Sequence, residues 1–290
     1  IPFRSKDRNE DFPIIVAGGP CGVNPEPYAD FFDLILLGDG EENTLQMLKI
    51  YDKCKKNGFN KREFLEKCSE IDTIYVPSMY NIEYDYNGVK VKGKKVKRAI
   101  VTDLENAYYP TKVQVPNIEI VHDRAALEIF RGCSNGCRFC CAGFIYRPVR
   151  ERSSALCSKF AEDLVCNNGF DELSLTSLSS GDYSKLPELI KTANYLRERY
   201  NVNTALPSLR MDSFTSDFTI NNRLSSLTFA PEAGTQRLRD VINKNISEDD
   251  IYNTLENAFK RGYTNIKLYF MIGLPTETEE DIKGIATIAK

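Results

Sequence analysis

The chain has 290 residues, 42% of them hydrophobic and 27% charged, so it has enough apolar side chains for a folded core and is not a disordered or collagen-like sequence. Its 38 basic and 41 acidic residues give a net charge of −3, which argues against a general nucleic-acid coat protein. No stretch approaches the roughly 18 uncharged apolar residues of a membrane helix, and the first residues carry no secretory signal, so we expect a cytoplasmic protein with no membrane partner.

Residues 1–58 predict the C-terminal part of an α/β domain. Two short apolar runs, 13–17 and 33–37, each lead into a glycine turn, as buried parallel strands do. Acidic residues, an apolar stretch, a lysine-rich end and Gly58 follow the second run, an order that predicts a helix. The chain does not begin with Met and stops inside a predicted helix, so we expect a piece of a longer protein.

Residues 59–124 predict a linker. Within it, 61–68 predict a short helix, and alternating apolar residues on either side of Asn87-Gly88 predict a β-hairpin. The remainder is rich in proline and tyrosine, which favours an irregular connection.

The pattern changes at residue 125, where five strand-then-helix units follow one another to residue 290. Such alternation predicts a parallel sheet, either open or curved into a barrel. In both forms, ligands bind at the carboxyl ends of the strands. The predicted strands are 127–130, 172–176, 203–207, 226–230 and 265–271. The predicted helices are 154–167, 184–200, 213–223, a region within 234–262, and 277–290.

A cysteine-rich loop follows the first of these strands. Cys133, Cys137 and Cys140 have the spacing C-x3-C-x2-C, and Gly132 and Gly136 provide the tight turns that converging thiolates need. Three ligands from one loop leave one iron of a cubane cluster without a protein ligand, whereas electron-carrying ferredoxins use four cysteines. The sequence therefore predicts a 4Fe–4S cluster with an open iron.

Two other interpretations of this loop stay open. A zinc site would need a fourth ligand, and Cys141 fits one tetrahedron poorly because it is adjacent to Cys140. The thiols could also be plain core residues. Cys141 raises a question of register as well, because three residues separate it from Cys137. We expect Cys141 to be a packed residue or a neighbour of the cluster ligands.

With an aromatic residue, Phe139, just before the third cysteine, the loop resembles the radical S-adenosylmethionine (radical SAM) superfamily, and the resemblance runs from about residue 125 to the end. It implies that Cys133, Cys137 and Cys140 hold a 4Fe–4S cluster whose fourth iron binds the amino and carboxylate groups of S-adenosylmethionine. It also implies a reductant, such as flavodoxin or ferredoxin, and reductive cleavage of S-adenosylmethionine to methionine and a 5′-deoxyadenosyl radical or a related species.

The resemblance extends to the ends of later strands, where it implies contacts with S-adenosylmethionine. Ser179-Ser180-Gly181-Asp182 stands where the family has Gly-Gly-Glu, so Asp182 would bind the amino group of the cofactor. The alternative is that Asp182 caps the following helix.

Three further segments are candidates for the same cofactor. Ser208 and Arg210 could clamp its carboxylate or ribose, or could form a surface ion pair. Glu232 resembles a ribose-contacting residue of the methylthiotransferase branch, or could cap a helix. Gly273 and Pro275 resemble the glycine–proline segment beside adenine, or a simple turn into a helix.

A second resemblance covers the first domain. Gly18-Gly19 and the later segment 38–42 resemble the last third of a Rossmann-like cobalamin-binding domain, in which the glycines approach the nucleotide tail of cobalamin. The axial-ligand motif of that family is absent. The whole chain resembles a bacterial family of cobalamin-domain radical SAM proteins. The implied fold is α/β: a partial (β/α) TIM-like barrel of the radical SAM type, truncated at its C-terminus, preceded by the C-terminal remnant of a cobalamin-binding domain.

These resemblances imply a radical SAM enzyme that acts in a cobalamin-linked methyl transfer or in another radical modification, on a substrate that the sequence does not identify. The arginine-rich segment 147–152 could face an anionic substrate such as RNA, or could be a solvated face. One alternative is an RNA methylthiotransferase, whose second cluster would have only Cys21, Cys54 and Cys68 as N-terminal candidates. Another is a non-catalytic iron–sulfur electron-transfer protein.

Overall fold

The chain folds as two units, Ile1–Asp103 and Leu104–Lys290. The computed structural model describes residues 1–86, 88–207, 209–213 and 227–290. None of the helices in these ranges combines the length and the apolar character that crossing a membrane requires. The predicted domains, 1–58, 59–124 and 125–290, stay a prediction.

A small sheet and two helices form the first unit, and a hairpin follows them. The sheet strands are β1 (Val16–Ala17), β2 (Leu34–Leu36) and β3 (Ile74–Tyr75), the helices are α1 (Gly40–Lys56) and α2 (Lys61–Ser69), and the hairpin strands are β4 (Asn81–Asp85) and β5 (Gly88–Lys92). β2 lies between β1, to which it is parallel, and β3, to which it is antiparallel. Both helices and the antiparallel hairpin agree with the sequence pattern. Asn87 of the predicted turn lies outside the described residues.

A buried carboxylate ties the start of the first unit to its sheet. Asp33 forms ion pairs with Arg8 (3.1 Å) and Lys61 (2.7 Å) and accepts a hydrogen bond from the Ile15 N–H (2.7 Å). Burial raises the pKa of Asp33, but the bonds from Ile15 and Lys61 outweigh burial and hold the pKa below its ordinary value. Asp33 therefore stays ionised and keeps three segments together at neutral pH.

The second unit is built mainly from parallel strands, each followed by a helix. Its strands are β6 (Ala125–Glu128), β7 (Phe130–Arg131), β8 (Arg150–Glu151), β9 (Glu172–Thr176), β10 (Asn203–Ala205), β11 (Leu227–Glu232) and β12 (Ile266–Phe270). Its helices are α3 (Cys141–Ile145), α4 (Ser154–Asn168), α5 (Leu186–Tyr200), α6 (Gln236–Val241), α7 (Glu248–Lys260) and α8 (Glu279–Ile288). In the described part of the chain, β10, β9 and β6 form one parallel sheet, and β11 and β12 form a parallel pair. The α/β fold with parallel strands is confirmed, and the predicted strand 172–176 matches β9; most of the predicted helix 213–223 lies outside the described residues.

Alternate side chains of the strands pack against the helices of this unit. In β9, Leu173 and Leu175 are buried in the same apolar core as residues of α4 and α5. α4 begins at Ser153, whose hydroxyl accepts a hydrogen bond from the Leu156 N–H, and ends at Gly169 in the left-handed conformation. Because β6, β9 and β10 run in one direction, the loops that follow them lie at one edge of the sheet.

Candidate functional site

The cysteine loop begins where β7 ends, and Gly132 sets its first turn. A β-carbon at Gly132 would lie 2.6 Å from the Pro148 carbonyl oxygen and 2.9 Å from the Tyr146 carbonyl oxygen. The Arg150 guanidinium donates to both of these carbonyls, at 3.1 Å each. Glycine is therefore required where the backbone of the loop meets the segment that leads into β8.

The three cysteines are half-buried, and two of them accept hydrogen bonds at sulfur. Cys133 Sγ accepts one from the side-chain amide of Asn135, and Cys140 Sγ accepts one from the Gly143 N–H, both at 3.4 Å. The second bond forms because Cys140 caps the N-terminus of α3. Hydrogen bonds to sulfur are one of the factors that set the reduction potential of an iron–sulfur cluster.

Two cations lie near Cys137, the second cysteine of the loop. Burial raises the pKa of Cys137 by more than the charges of Lys244 and Arg210 lower it. The pKa therefore lies above its ordinary value. Lys244 is itself buried, with Nζ 3.2 Å from Glu232 Oε1 and 5.9 Å from the centre of the Phe139 ring. This positive charge suits an anionic set of ligands.

The three thiols are not grouped around one point, as a single metal ion would require. Within the described ranges, no three Cys, His, Asp or Glu side chains are grouped closely enough to hold one ion. A zinc ion needs its ligands around one point, about 2.3 Å from each sulfur. A cluster binds each cysteine at a different iron, so its ligands can stand apart.

Cys141 lies beside this set of thiols. It is exposed at the first position of α3, a short helix of which only Gly143 is buried. The expectation of a packed Cys141 is therefore wrong, whereas its place next to Cys140 makes it a neighbour of the predicted ligands.

The last residue of α6 and the four that follow it, residues 241–245, hold the cysteine loop, and this segment is called the strap. Asn243 Nδ2 donates to the Gly136 carbonyl at 2.9 Å, and Asn245 Nδ2 donates to the Asn135 carbonyl at 3.5 Å. Asn243 and Asn245 have φ angles of 54° and 50°, in the left-handed region, which asparagine adopts more readily than most residues. The strap thus fixes the backbone at the centre of the loop.

The segment predicted to bind S-adenosylmethionine follows β9. Ser180 is buried and its hydroxyl donates to the Leu175 carbonyl at 3.3 Å. Ser179 Oγ is also buried, and it has no hydrogen-bond partner among the described residues, which leaves it available to a ligand. A β-carbon at Gly181 would lie 1.9 Å from Ser213 Oγ, so this position requires glycine.

Asp182 connects this segment to the cysteine loop. Its Oδ2 accepts a hydrogen bond of 2.7 Å from Asn135 Nδ2, the same nitrogen that donates to Cys133. Asp182 does not cap the next helix, because α5 begins at Leu186. Two predicted functions, cluster ligation and binding of the amino group, are therefore adjacent in space.

Arg210 lies near the same site, whereas Ser208 lies outside the described residues. The Arg210 guanidinium forms two bonds to Asp212, at 3.0 and 2.8 Å, and one to the Lys244 carbonyl at 3.3 Å. Arg210 therefore forms the ion pair of the alternative interpretation, with its own side chain 10% exposed and that of Asp212 35% exposed. Burial lowers the pKa of Arg210, and the bonds to Asp212 outweigh burial and raise it above its ordinary value.

Glu232 lies at an irregular point in β11. Its φ is 71°, and the register between β11 and β12 shifts between Phe229 and Glu232. A left-handed conformation at a residue other than glycine costs about 1–3 kcal/mol and is common at functional sites. The Glu232 carboxylate is held by Lys244, close to the cysteine loop.

Gly273 and Pro275 lie in an exposed turn between β12 and α8. The residue between them, Leu274, is buried in an apolar cluster that also contains Phe139.

A β-carbon at Gly234 would lie 2.3 Å from the Asp281 carbonyl, so α8 packs directly on the turn after β11. The hydrogen bond from Thr235 holds the pKa of the buried Asp281 carboxyl well below its ordinary value.

The segment 147–152 contributes structural rather than surface arginines. Arg150 and Arg152 are buried, and the Arg152 guanidinium donates to the carbonyls of Leu104 (2.6 Å) and Glu128 (3.2 Å). The expectation that these two arginines face an anionic substrate is therefore wrong, because their charges are already used inside the fold.

The described residues line a cavity in each unit. A cavity of about 260 Å³ lies beside Gly132 and is lined by Arg131 and Thr176, among others. A larger cavity of about 630 Å³ is lined entirely by residues of the first unit.

Gly18 and Gly19 directly follow β1. Nothing lies within 4 Å of the place that a β-carbon of Gly19 would take.

The structure adds three side chains that sequence reasoning missed: Asn135, Asn243 and Lys244. Asn135 could have been noticed from its place inside the C-x3-C spacing. Asn243 and Lys244 follow the short helix α6, more than 100 residues along the chain from the cysteine loop. No local pattern distinguishes them.

Two family models match the chain: "Radical SAM proteins, N-terminal" over residues 1–77 and "Radical SAM superfamily" over residues 127–289. An uncharacterized protein of Methanocaldococcus jannaschii is 36% identical over 284 residues, which cover 98% of this chain and 57% of that protein. The ribosomal protein uS12 methylthiotransferase of a Thermoanaerobacter species is 23% identical, over 93% of this chain and 63% of the enzyme. The chain thus spans less than two thirds of the length of these curated relatives.

Two solved structures share the fold across both units. The cobalamin-dependent radical SAM enzyme OxsB, with aqua-cobalamin and S-adenosylmethionine bound, has a TM-score of 0.62 at 16% identity, over 95% of this chain and 38% of OxsB. The radical SAM methyltransferase TsrM of Kitasatospora setae, with cobalamin and a [4Fe–4S] cluster bound, has a TM-score of 0.63 at 12% identity, over 94% of this chain and 54% of TsrM.

The superfamily model matches more than half of the chain, and its match includes the whole cysteine loop. The expected partial barrel, the class of enzyme, and the cofactors of that class, a 4Fe–4S cluster and S-adenosylmethionine, are confirmed at this level. The chain belongs to the radical SAM superfamily.

Proposed function

We propose that Cys133, Cys137 and Cys140 hold the 4Fe–4S cluster and that this chain cleaves S-adenosylmethionine there. The observation that carries the proposal is the amide of Asn135, which bonds both Cys133 and Asp182. When bound, the cluster supplies the electron that cleaves the sulfonium. The residues proposed to bind S-adenosylmethionine are Phe139, Ser179, Ser180, Gly181, Asp182, Ser208, Arg210, Glu232, Gly273 and Pro275.

Several of the described side chains have a chemical task in this proposal. Asp182 would accept a hydrogen bond from the amino group, and the Ser179 hydroxyl, which has no partner among the described residues, would donate to or accept from the same ligand. Lys244 holds the carboxylate of Glu232 in position for a hydroxyl group of the ribose. The apolar cluster around Phe139 excludes water from one side of the loop.

The test is anaerobic iron–sulfur reconstitution followed by electron paramagnetic resonance (EPR) of the reduced protein, with and without S-adenosylmethionine. We expect about four irons per chain and a signal that shifts when S-adenosylmethionine is added. A signal that ignores S-adenosylmethionine would favour the electron-transfer alternative. Zinc in place of iron after anaerobic handling would contradict the proposal.

We further propose that the full-length protein uses cobalamin for a methyl transfer or another radical modification. The open space beside Gly19 at the end of β1, and the shared fold with two cobalamin-binding enzymes, support this proposal. A flavodoxin or ferredoxin as the physiological reductant and a cytoplasmic location belong to the proposal as well. The proposal names no substrate, and RNA is only one candidate.

Cobalamin binding can be measured on the full-length protein. We expect hydroxocobalamin to stay with the full-length protein through gel filtration, and replacement of Gly19 by valine to reduce retention because the side chain fills the open space. Gly58→Val is the control, because Gly58 also has a positive φ (84°) and open surroundings but follows α1. Equal retention by both variants would contradict a role for Gly19.

The methylthiotransferase alternative has relatives in its favour but lacks a second group of thiols. Cys54 and Cys68 are buried in the apolar core of the first unit, and Cys21 is exposed. Burial raises the pKa of Cys68 to about 12, so this thiol is protonated at neutral pH. Two thiols inside an apolar core and one at the surface do not form one group, which argues against a second cluster held by Cys21, Cys54 and Cys68.

A further inference from the structure

We propose that Asn135 is a positioning residue that couples the reduction potential of the cluster to the affinity for S-adenosylmethionine. The inference rests on the proposed function, because it takes Cys133 as a cluster ligand and Asp182 as a ligand of the cofactor's amino group. One amide nitrogen serves both groups: Nδ2 lies 3.4 Å from Cys133 Sγ and 2.7 Å from Asp182 Oδ2.

The chemistry of the two acceptors assigns the orientation of the amide. A thiolate and a carboxylate both accept hydrogen bonds, and only the NH2 end of asparagine donates, with two hydrogens. Both hydrogens are therefore used, one toward each partner. A change of electron density at the sulfur is felt by the bond to the carboxylate, because the two bonds share one nitrogen.

The backbone of Asn135 is held independently of its side chain. Its carbonyl accepts hydrogen bonds from Asn243 Nδ2 (3.4 Å) and Asn245 Nδ2 (3.5 Å) of the strap. Removing the amide of Asn135 should therefore leave the path of the loop intact. This separation makes the effect of the side chain measurable apart from the assembly of the cluster.

The sign of each effect follows from charge. A hydrogen bond to a ligand sulfur favours the reduced, more negative cluster, so its loss lowers the midpoint potential. Asp182, once released from Asn135, is less well oriented for an ammonium group, so its affinity for the cofactor falls. Loss of one hydrogen bond corresponds to a dissociation constant that is roughly 3- to 10-fold larger.

The experiment compares Asn135→Ala and Asn135→Asp with wild type at equal iron content. The midpoint potential is measured by EPR-monitored redox titration, and the affinity by titrating S-adenosylmethionine against the EPR signal. We expect both variants to have a lower potential, with the larger change for Asn135→Asp, which places a negative charge beside the sulfur, and we expect Asn135→Ala to bind S-adenosylmethionine more weakly. Ser134→Ala is the matched control, an exposed residue of the same loop, and should change neither quantity.

A third variant, Asp182→Asn, separates the two bonds. In its background, Asn135→Ala should still lower the potential but should no longer weaken binding to the same extent, a non-additivity that a merely loosened loop would not produce. Wild-type potential and affinity in the Asn135 variants, or strictly additive effects on binding, would overturn the inference alone. A wild-type protein whose signal ignores S-adenosylmethionine would overturn the proposed function together with it.

Discussion

Replacement of Cys133, Cys137 or Cys140 by serine is expected to reduce the iron content of the reconstituted protein from about four to less than one per chain. Each substitution removes one of only three ligands, and the fourth iron has no protein ligand to compensate. The fold should survive, because serine is a good N-terminal cap and can replace Cys140 at the start of α3. Iron analysis, visible absorption and circular dichroism of the anaerobically prepared variants measure both properties.

Cys141→Ser is the matched control for this series. It removes an exposed thiol adjacent to Cys140, and we expect it to retain its iron. Loss of iron in Cys141→Ser, together with retention in Cys133→Ser, would show that the ligands follow the alternative register that starts at Cys137.

Arg152→Met is expected to destabilise the second unit by about 3–5 kcal/mol. Methionine has a similar length, so little cavity forms, but the carbonyls of Leu104 and Glu128 lose their donor in a buried place. The guanidinium also lies 5.0 Å from the centre of the Tyr109 ring, and that attraction is lost. The free energy of unfolding, from urea titration under anaerobic conditions, measures the effect.

Lys159→Met is the comparison for this prediction, because Lys159 is an exposed basic residue on α4. It should change stability by less than about 0.5 kcal/mol. An Arg152→Met protein with wild-type stability and lost affinity for RNA would contradict the structural role and restore the substrate-facing interpretation of this segment.

Local patterns predicted the elements of the second unit well. Leu173 and Leu175 alternate with polar residues and lie between turn signals, so β9 could be placed from its own residues. The carboxyl ends of parallel strands then put the cysteine loop and Asp182 at one edge of the sheet. Only the order of the elements along the chain was needed for that step.

What could not be predicted depends on contacts between distant residues. Arg150 and Arg152 form a basic run in the sequence, and only the folded chain shows which carbonyls meet them. Asn243 is 107 residues from the Gly136 carbonyl that it binds. Neither its amide nor its left-handed backbone has a local signature, since asparagine is equally common in ordinary turns.

The chain has nine thiols, and the buried ones differ from the cysteine loop in how easily iron can reach them. Burial raises the pKa of Cys68 to about 12 and that of Cys157 to about 11, so both thiols are protonated at neutral pH. The loop of Cys133, Cys137 and Cys140 is half-buried, with the charges of Lys244 and Arg210 near Cys137. Burial elsewhere in the fold therefore shields Cys54, Cys68 and Cys157 from incoming iron, whereas Cys21, Cys141 and Cys166 are exposed.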